Sequence, residues 1–246
     1  MRISTIVLAW SSAAALWAGA ASLHLPQNET RKTTSFEDKL NTRVGQFDTS
    51  GRSLYASLFD LACAYKVPLT VEYADHIAAT QPIDLHFRDE YLRNIFSVLA
   101  AQIPEYRVSF SNGLIDVYMP SARADSSNLL NIVIQDFAVT NADTQRANME
   151  LFCAVISQTH GGACAGSIAP HQWGDKKITL SMHTVRVYEI LNAIVAQNGE
   201  AAWTVIVPPE KLARLQNGGN WHIYPLEPAY KTGILEKLAA TLNNGT

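Results

Sequence analysis

The sequence lacks the features by which an enzyme or a nucleic-acid-binding protein is usually identified. Its 246 residues carry three cysteines, 17% charged residues and a formal net charge of −3. This charge gives no electrostatic basis for binding nucleic acid as a main task. No G-x-S-x-G, H-E-x-x-H, Walker or Rossmann pattern occurs. The sequence thus identifies no catalytic residue, cofactor or metal, and enzymatic activity is the less favoured interpretation.

Long apolar runs are also scarce, and the only one of membrane-spanning length lies at the N-terminus. A short positive start precedes residues 3–17, which are almost wholly apolar or small, and residues 18–20 have the small-x-small pattern of a signal-peptidase site. We therefore predict a signal peptide over residues 1–20 and an exported mature protein without a membrane span. The alternative is an uncleaved anchor over residues 3–25. No cysteine follows the run, so a lipoprotein is not indicated.

The chain then alternates strand and helix patterns. Residues 21–42 are polar and are expected to form a flexible leader. In residues 43–119 the predicted order is strand, helix, two strands, helix and hairpin. Ser53 and Asp89 are candidate helix N-caps, and Asn112-Gly113 is a strong hairpin turn. The second helix has an apolar stripe at helical spacing: Tyr91, Leu92, Ile95, Phe96, Leu99 and Ala100.

A similar order follows in the second half, after a predicted linker at 120–128. Residues 129–226 contain a strand pattern, a helix capped by Asn141 or Asp143, a strand, a helix capped by Thr184, and two strands. We predict a C-terminal tail over residues 227–246.

The two halves match at an offset of 95 residues. Between the stretches 83–108 and 178–203 the identical pairs are Ile83 and Ile178, Leu85 and Leu180, Ile95 and Ile190, Ala101 and Ala196, Gln102 and Gln197, and Glu105 and Glu200. The apolar periodicity common to any two β-α-β units explains the shared pattern, but it explains the matched lengths less well. We predict an α+β fold of two tandem small βαββαβ-type domains, each with a short mixed sheet packed on helices.

Three stretches of the first half resemble a known family. "SLYASLFDLACAYKVPLTVEY", "IDLHFRDEYLRNIFSVLAAQ" and "YRVSFSNGLIDVYM" are similar to the short N-terminal domain of secretins and TonB-dependent receptors. The likeness covers residues 43–119 well and 129–225 loosely. The periplasmic domain of FecR-type anti-sigma regulators has a similar pattern.

This resemblance implies an exported, soluble interaction module of a Gram-negative-type bacterial envelope, periplasmic or secreted. Its partner would be an envelope protein such as a secretin, a TonB-dependent receptor or an anti-sigma regulator, bound at a sheet edge. Those families carry the domain on a longer chain with a plug, barrel or ring. We therefore expect any pore to belong to the partner.

One group of residues has metal-like composition: Cys153, His160, Cys164 and His171. The spacing is not a common zinc pattern. In an exported chain two nearby cysteines tend to pair, so a Cys153–Cys164 disulfide is the favoured interpretation, with no bond and zinc as alternatives. Cys63 is predicted to be a buried thiol.

Two tryptophans are candidates for partner binding. Trp173 and Trp221 lie in or beside two long predicted loops, 161–175 and 208–220. They are either contact anchors or core residues. The rival function is a periplasmic hydrolase or small-ligand carrier with a site between the repeats, around His160, His171 and His183.

Overall fold

The computed structural model describes residues 35–72, 81–161, 164, 176–205 and 221–226. The predicted C-terminal tail at 227–246 lies outside the described residues. The helices are α1 (Phe36–Leu40), α2 (Leu54–Tyr65), α3 (Leu92–Ala100), α4 (Pro120–Ala124), a 3₁₀ turn (Leu129–Asn131), α5 (Thr144–His160) and α6 (Val187–Asn198). The strands are β1 (Arg43–Asp48), β2 (Leu69–Val71), β3 (His86–Tyr91), β4 (Arg107–Ser111), β5 (Leu114–Tyr118), β6 (Val133–Ala142), β7 (Ile178–Arg186), β8 (Ala201–Val205) and β9 (Trp221–Pro225). This mixture of helices and mixed sheets confirms the predicted α+β class.

One five-stranded sheet joins the two halves of the chain. Its order is β4-β5-β2-β8-β9, and β2 runs parallel to both β5 and β8. Strand β2 is buried along its whole length, as expected for a parallel strand covered on both faces. Since β8 pairs with β2, a strand of the first half, the prediction of two tandem domains with separate sheets is not confirmed. The described residues belong to one compact unit.

Two antiparallel ribbons repeat the same design outside this sheet. Strand β1 pairs with β3, β6 pairs with β7, and β3 and β7 each run directly into a helix. Asp89 and Thr184 both have φ of 50°, at the offset of 95 found in the sequence. Their assignment as N-caps is wrong because an N-cap is extended. Tyr91 and Arg186 take the cap positions instead.

Other local predictions are confirmed by geometry. The Ser53 hydroxyl accepts a hydrogen bond from the Ala56 amide at 3.2 Å, and the Asp143 carboxylate accepts one from Arg146 at 2.8 Å. Asn112 and Gly113 have φ of 54° and 80°, which a two-residue turn of type I′ requires.

Two segments taken as leader and linker are partly folded. Helix α1 lies within the predicted leader, and its Leu40 is fully buried. Helix α4 lies within the predicted linker, with Ala122 buried. The stripe on α3 is confirmed except for Tyr91, which precedes the helix and is 41% exposed.

Apolar cores lie on both faces of the five-stranded sheet. On the first face, side chains of β2 and β5 such as Leu69 and Ile115 share a core with Leu58 of α2 and Phe96 of α3. On the second face, Trp203 and other side chains of β8 and β9 share a core with α5 and α6. The second core does not reach β4, and a cleft lies there.

Candidate functional site

The cleft lies between the central sheet and the second half of the chain. It has a volume of about 690 Å³. Ser109 and Ser111 of β4 and Asp116 of β5 line one side, and Tyr188, Glu189 and Asn192 of α6 line the other. This volume is in the range of small-molecule and side-chain pockets.

An arginine from the predicted linker stands at the inner end of the cleft. The Arg123 Nε donates to both carboxylate oxygens of Glu72, at 2.9 and 3.1 Å. Its terminal nitrogen also donates to Asp116, at 2.7 and 2.9 Å. The guanidinium lies between two rings, 3.8 Å from the Tyr118 centroid and 4.3 Å from that of Tyr188. We call these five residues the arginine cluster.

Burial makes the charges of the arginine cluster strongly dependent on one another. The side chains of Glu72 and Asp116 are only 1% and 7% exposed. Burial raises the pKa of Glu72 to about 7, and the hydrogen bonds and charge of Arg123 only partly oppose this rise. Burial also disfavours the charged form of Arg123, but the two carboxylates outweigh it and raise the pKa of the guanidinium above its ordinary value.

Hydrogen bonds tie the arginine cluster to both halves of the chain. The Thr70 hydroxyl of β2 donates to the Asp116 carboxylate at 2.7 Å. Asn192 of α6 has its amide nitrogen 3.4 Å from Asp116, and its carbonyl oxygen accepts from the Trp203 ring nitrogen at 2.8 Å. Helix α6 is therefore fixed to the sheet by a polar contact as well as by the second core.

Several polar groups at the mouth of the cleft lack partners within the described part of the chain. No hydrogen bond joins the side chains of Ser109, Ser111 or Asn112 to another described residue, although all three line the cleft. One Glu189 oxygen accepts from the Arg186 amide at 2.7 Å, and no donor among the described residues reaches its other oxygen. These groups remain able to bind a ligand.

Strand β4 forms one edge of the sheet, and the bonds of its neighbour β5 show which β4 groups face outward. Ile115 donates its backbone N–H to the Pro68 carbonyl at 2.9 Å, and the Val117 carbonyl accepts from the Glu72 amide at 2.8 Å. At these two positions β5 therefore directs its backbone toward β2 and not toward β4.

The β4 residues opposite them must direct their backbone groups to the open side. Phe110 lies opposite Ile115, and Val108 lies opposite Val117. In an antiparallel pair such positions alternate with hydrogen-bonded ones. No strand in the described ranges pairs with this side of β4, so the Val108 and Phe110 amides and carbonyls form an open ladder.

The described residues among the candidates from the sequence, Cys153, Cys164 and Trp221, do not line the cleft. Cys153 and Cys164 form a disulfide with Cα atoms 5.1 Å apart. Trp221 is 5% exposed in the second core, and its ring nitrogen donates to Asn148 at 2.7 Å. Trp221 is therefore a core residue and not a contact anchor, and it does not line the cleft. Trp173 lies outside the described residues.

Of the three histidines of the rival function, only His183 has a described side chain, and it does not line the cleft. His183 lies on β7, 2.5 Å from Asp136 on the ribbon surface. His171 and the His160 side chain lie outside the described residues. No three or more histidine, cysteine or carboxylate groups in the described ranges are arranged to hold a metal ion.

Sequence reasoning did not identify the arginine cluster. Arg123 stands in a short polar segment that resembles a linker, and Asp116 and Glu72 are single acidic residues in or next to apolar strands. The signal was the acidic residue at a core-facing position of "LIDVY", since a buried carboxylate needs a partner.

Comparisons with family models, with curated proteins and with solved structures found no match to this chain. None of the helices in the described segments combines the length and apolar character needed to cross a membrane. The disulfide pair is compatible with export to an oxidising compartment.

Proposed function

We propose that this protein is an exported interaction module of the bacterial envelope that binds another envelope protein by accepting an extended segment along β4. The observation that carries this proposal is the open ladder at Val108 and Phe110. An open edge forms backbone hydrogen bonds with a partner strand, and neighbouring pockets supply specificity. The cleft adjoins this edge through Ser109 and Ser111.

The family resemblance supports the same proposal and suggests the partner. The stretches similar to the short N-terminal domain of secretins and TonB-dependent receptors include β4, its hairpin turn and β5. We propose a secretin, a TonB-dependent receptor or an anti-sigma regulator as partner, and a periplasmic or secreted location. The disulfide agrees with such a location.

In-cell photo-crosslinking tests this proposal. A photoreactive amino acid replaces Ser111, which is exposed at the end of β4, or Arg146, which is exposed on α5 as the control. We expect one recurrent envelope protein to be captured from Ser111 and not from Arg146. Equal capture from both positions, or none from Ser111, would contradict the proposal.

A proline substitution adds a second test. In Val108→Pro the lost N–H is the one that faces outward, and an edge strand tolerates this change. We expect the variant to keep its circular dichroism spectrum and thermal transition and to lose the Ser111 crosslink. A folded variant that still gives the full crosslink would contradict strand addition.

The cleft also supports a second candidate, a carrier of a small ligand bound between the two halves. The unpartnered Ser109, Ser111 and Asn112 side chains favour this candidate. Native mass spectrometry of the protein purified from its own host tests it. A stoichiometric small molecule would support the carrier, and its absence would oppose it.

A further inference from the structure

We infer that the cleft binds a basic side chain, lysine or arginine, of the segment that adds to β4. This inference rests on the proposed function and specifies its partner. It combines three observations: the open edge of β4, the alternation of β4 side chains between core and cleft, and the excess of negative charge around the cleft.

The alternation of β4 determines which partner residues face the cleft. Val108 and Phe110 pack against the first core, whereas Ser109 and Ser111 line the cleft. Side chains on neighbouring strands share faces in register. Every second residue of the added strand therefore has its side chain on the cleft side, next to Ser109 and Ser111.

The distances suit a long side chain. The added strand would lie two strand spacings from β5, roughly 9–10 Å. Asp116, which is paired with Ser109 across the two strands, stands on β5 at this distance. A four-carbon lysine stem and the aspartate side chain together cover the gap. Leu114, Ala193 and Ala196 provide an apolar lining for the stem.

The charge around the cleft selects a cation. Asp116 and Glu189 line it together with one basic group, Arg123, which is paired with both Asp116 and Glu72. The sum of these charges is negative whether or not Glu72 is ionised. The Ser109 and Ser111 hydroxyls add acceptors for the three donors of an ammonium group. An acidic residue at the same position would be repelled.

Three peptides with one backbone test the inference on the full chain. The first is acetyl-Thr-Val-Lys-Val-Lys-Val-Thr-amide, and the others carry glutamine or glutamate in place of both lysines. Each is titrated to millimolar concentration, and backbone amide signals of β4 are followed by NMR. We expect the lysine peptide to bind about fivefold more tightly than the glutamine peptide, the glutamate peptide to be weakest, and the Val108 and Phe110 amides to become protected.

A charge-removing variant locates the effect in the cleft. Glu189→Gln keeps an oxygen that accepts from the Arg186 amide. We expect it to weaken the lysine peptide about threefold and to leave the glutamine peptide unchanged. Glu150→Gln is the matched control, because Glu150 is exposed on α5 and does not line the cleft. Equal effects of the two variants would overturn the inference.

The outcomes separate this inference from the proposed function. If all three peptides protect the β4 amides with equal affinity, strand addition stands and the preference for a basic side chain is wrong. If the lysine peptide binds without protecting these amides, the inference is overturned because the side chain is not delivered by an added strand. If no peptide binds, strand addition and the inference both fail.

Discussion

Replacing Arg123 tests whether the arginine cluster holds the two halves together. Arg123→Met keeps a flexible apolar stem between the Tyr118 and Tyr188 rings and removes the charge. It leaves Glu72 and Asp116 buried without their cation. We expect a large loss of stability that depends on pH.

The magnitude follows from burial. Breaking a buried ion pair by removing one partner costs about 3–5 kcal/mol. We expect this cost at about pH 8, where Glu72 of the folded wild type, with a pKa of about 7, is ionised and paired with Arg123. At lower pH Glu72 is protonated in the wild type as well as in the variant, so Arg123 no longer compensates a buried charge on Glu72. The cost should therefore fall to about half at about pH 5.

The sign of the pH dependence follows from the raised pKa of Glu72, about 7 against an ordinary value of 4.5. A carboxyl whose folded pKa is raised stabilises the fold most when it is protonated. Its contribution is complete below the unfolded pKa and is lost as pH rises through the folded pKa. Removing Arg123 raises the folded pKa further, so the variant loses stability over a wider pH range than the wild type.

Urea unfolding followed by tryptophan fluorescence measures both free energies. The control is Arg107→Met on β4. The Arg107 side chain is exposed, and within the described ranges its guanidinium donates only to the backbone carbonyls of Pro104 and Tyr106, each at 2.7 Å. We expect the control to cost less than about 1 kcal/mol. An equally small cost for Arg123→Met at about pH 8, or the same cost at both pH values, would refute the reasoning.

Three further predictions concern stability. The free energy of unfolding of the wild type should fall by about 3 kcal/mol between about pH 4.5 and pH 7 because of Glu72. Urea titrations of Glu72→Gln should lack most of this pH dependence, and an unchanged pH dependence would assign it to other groups. Cys164→Ser removes the disulfide to Cys153, eleven residues away, and should lower the free energy of unfolding by about 3 kcal/mol. The reduced wild type should unfold at the same urea concentration as this variant, and a difference between them would point to other thiol effects. Ser53→Ala removes the cap of α2 and should lower the free energy of unfolding by about 1 kcal/mol, and no loss would show that the cap contributes nothing.

The sequence was sufficient for the elements whose signals are local. The Ser53 cap, the Asn112-Gly113 turn and the α3 stripe depend on residues within a few positions of each other. The structure has them as predicted, apart from Tyr91 in the stripe. The sequence offset of 95 residues is also seen in the backbone, since Asp89 and Thr184 both have a positive φ of 50°.

The pairing of strands that are distant in the sequence could not be predicted from such local signals. Residues 69–71 are buried on both faces of the strand, and nothing in this short segment indicates that β8 is the second neighbour of β2. Arg123 is likewise indistinguishable in sequence from a solvated linker residue. Its partner Glu72 is 51 positions away, and only the folded sheet brings them together.

Amide hydrogen exchange along β4 in the free, full-length protein tests the central claim most directly. If the edge is open, the Val108 and Phe110 amides exchange rapidly. The Ser109 amide, which the alternation directs toward β5, exchanges slowly. Slow exchange at Val108 and Phe110 in the absence of any partner would contradict the account, because it would show that the edge is already covered.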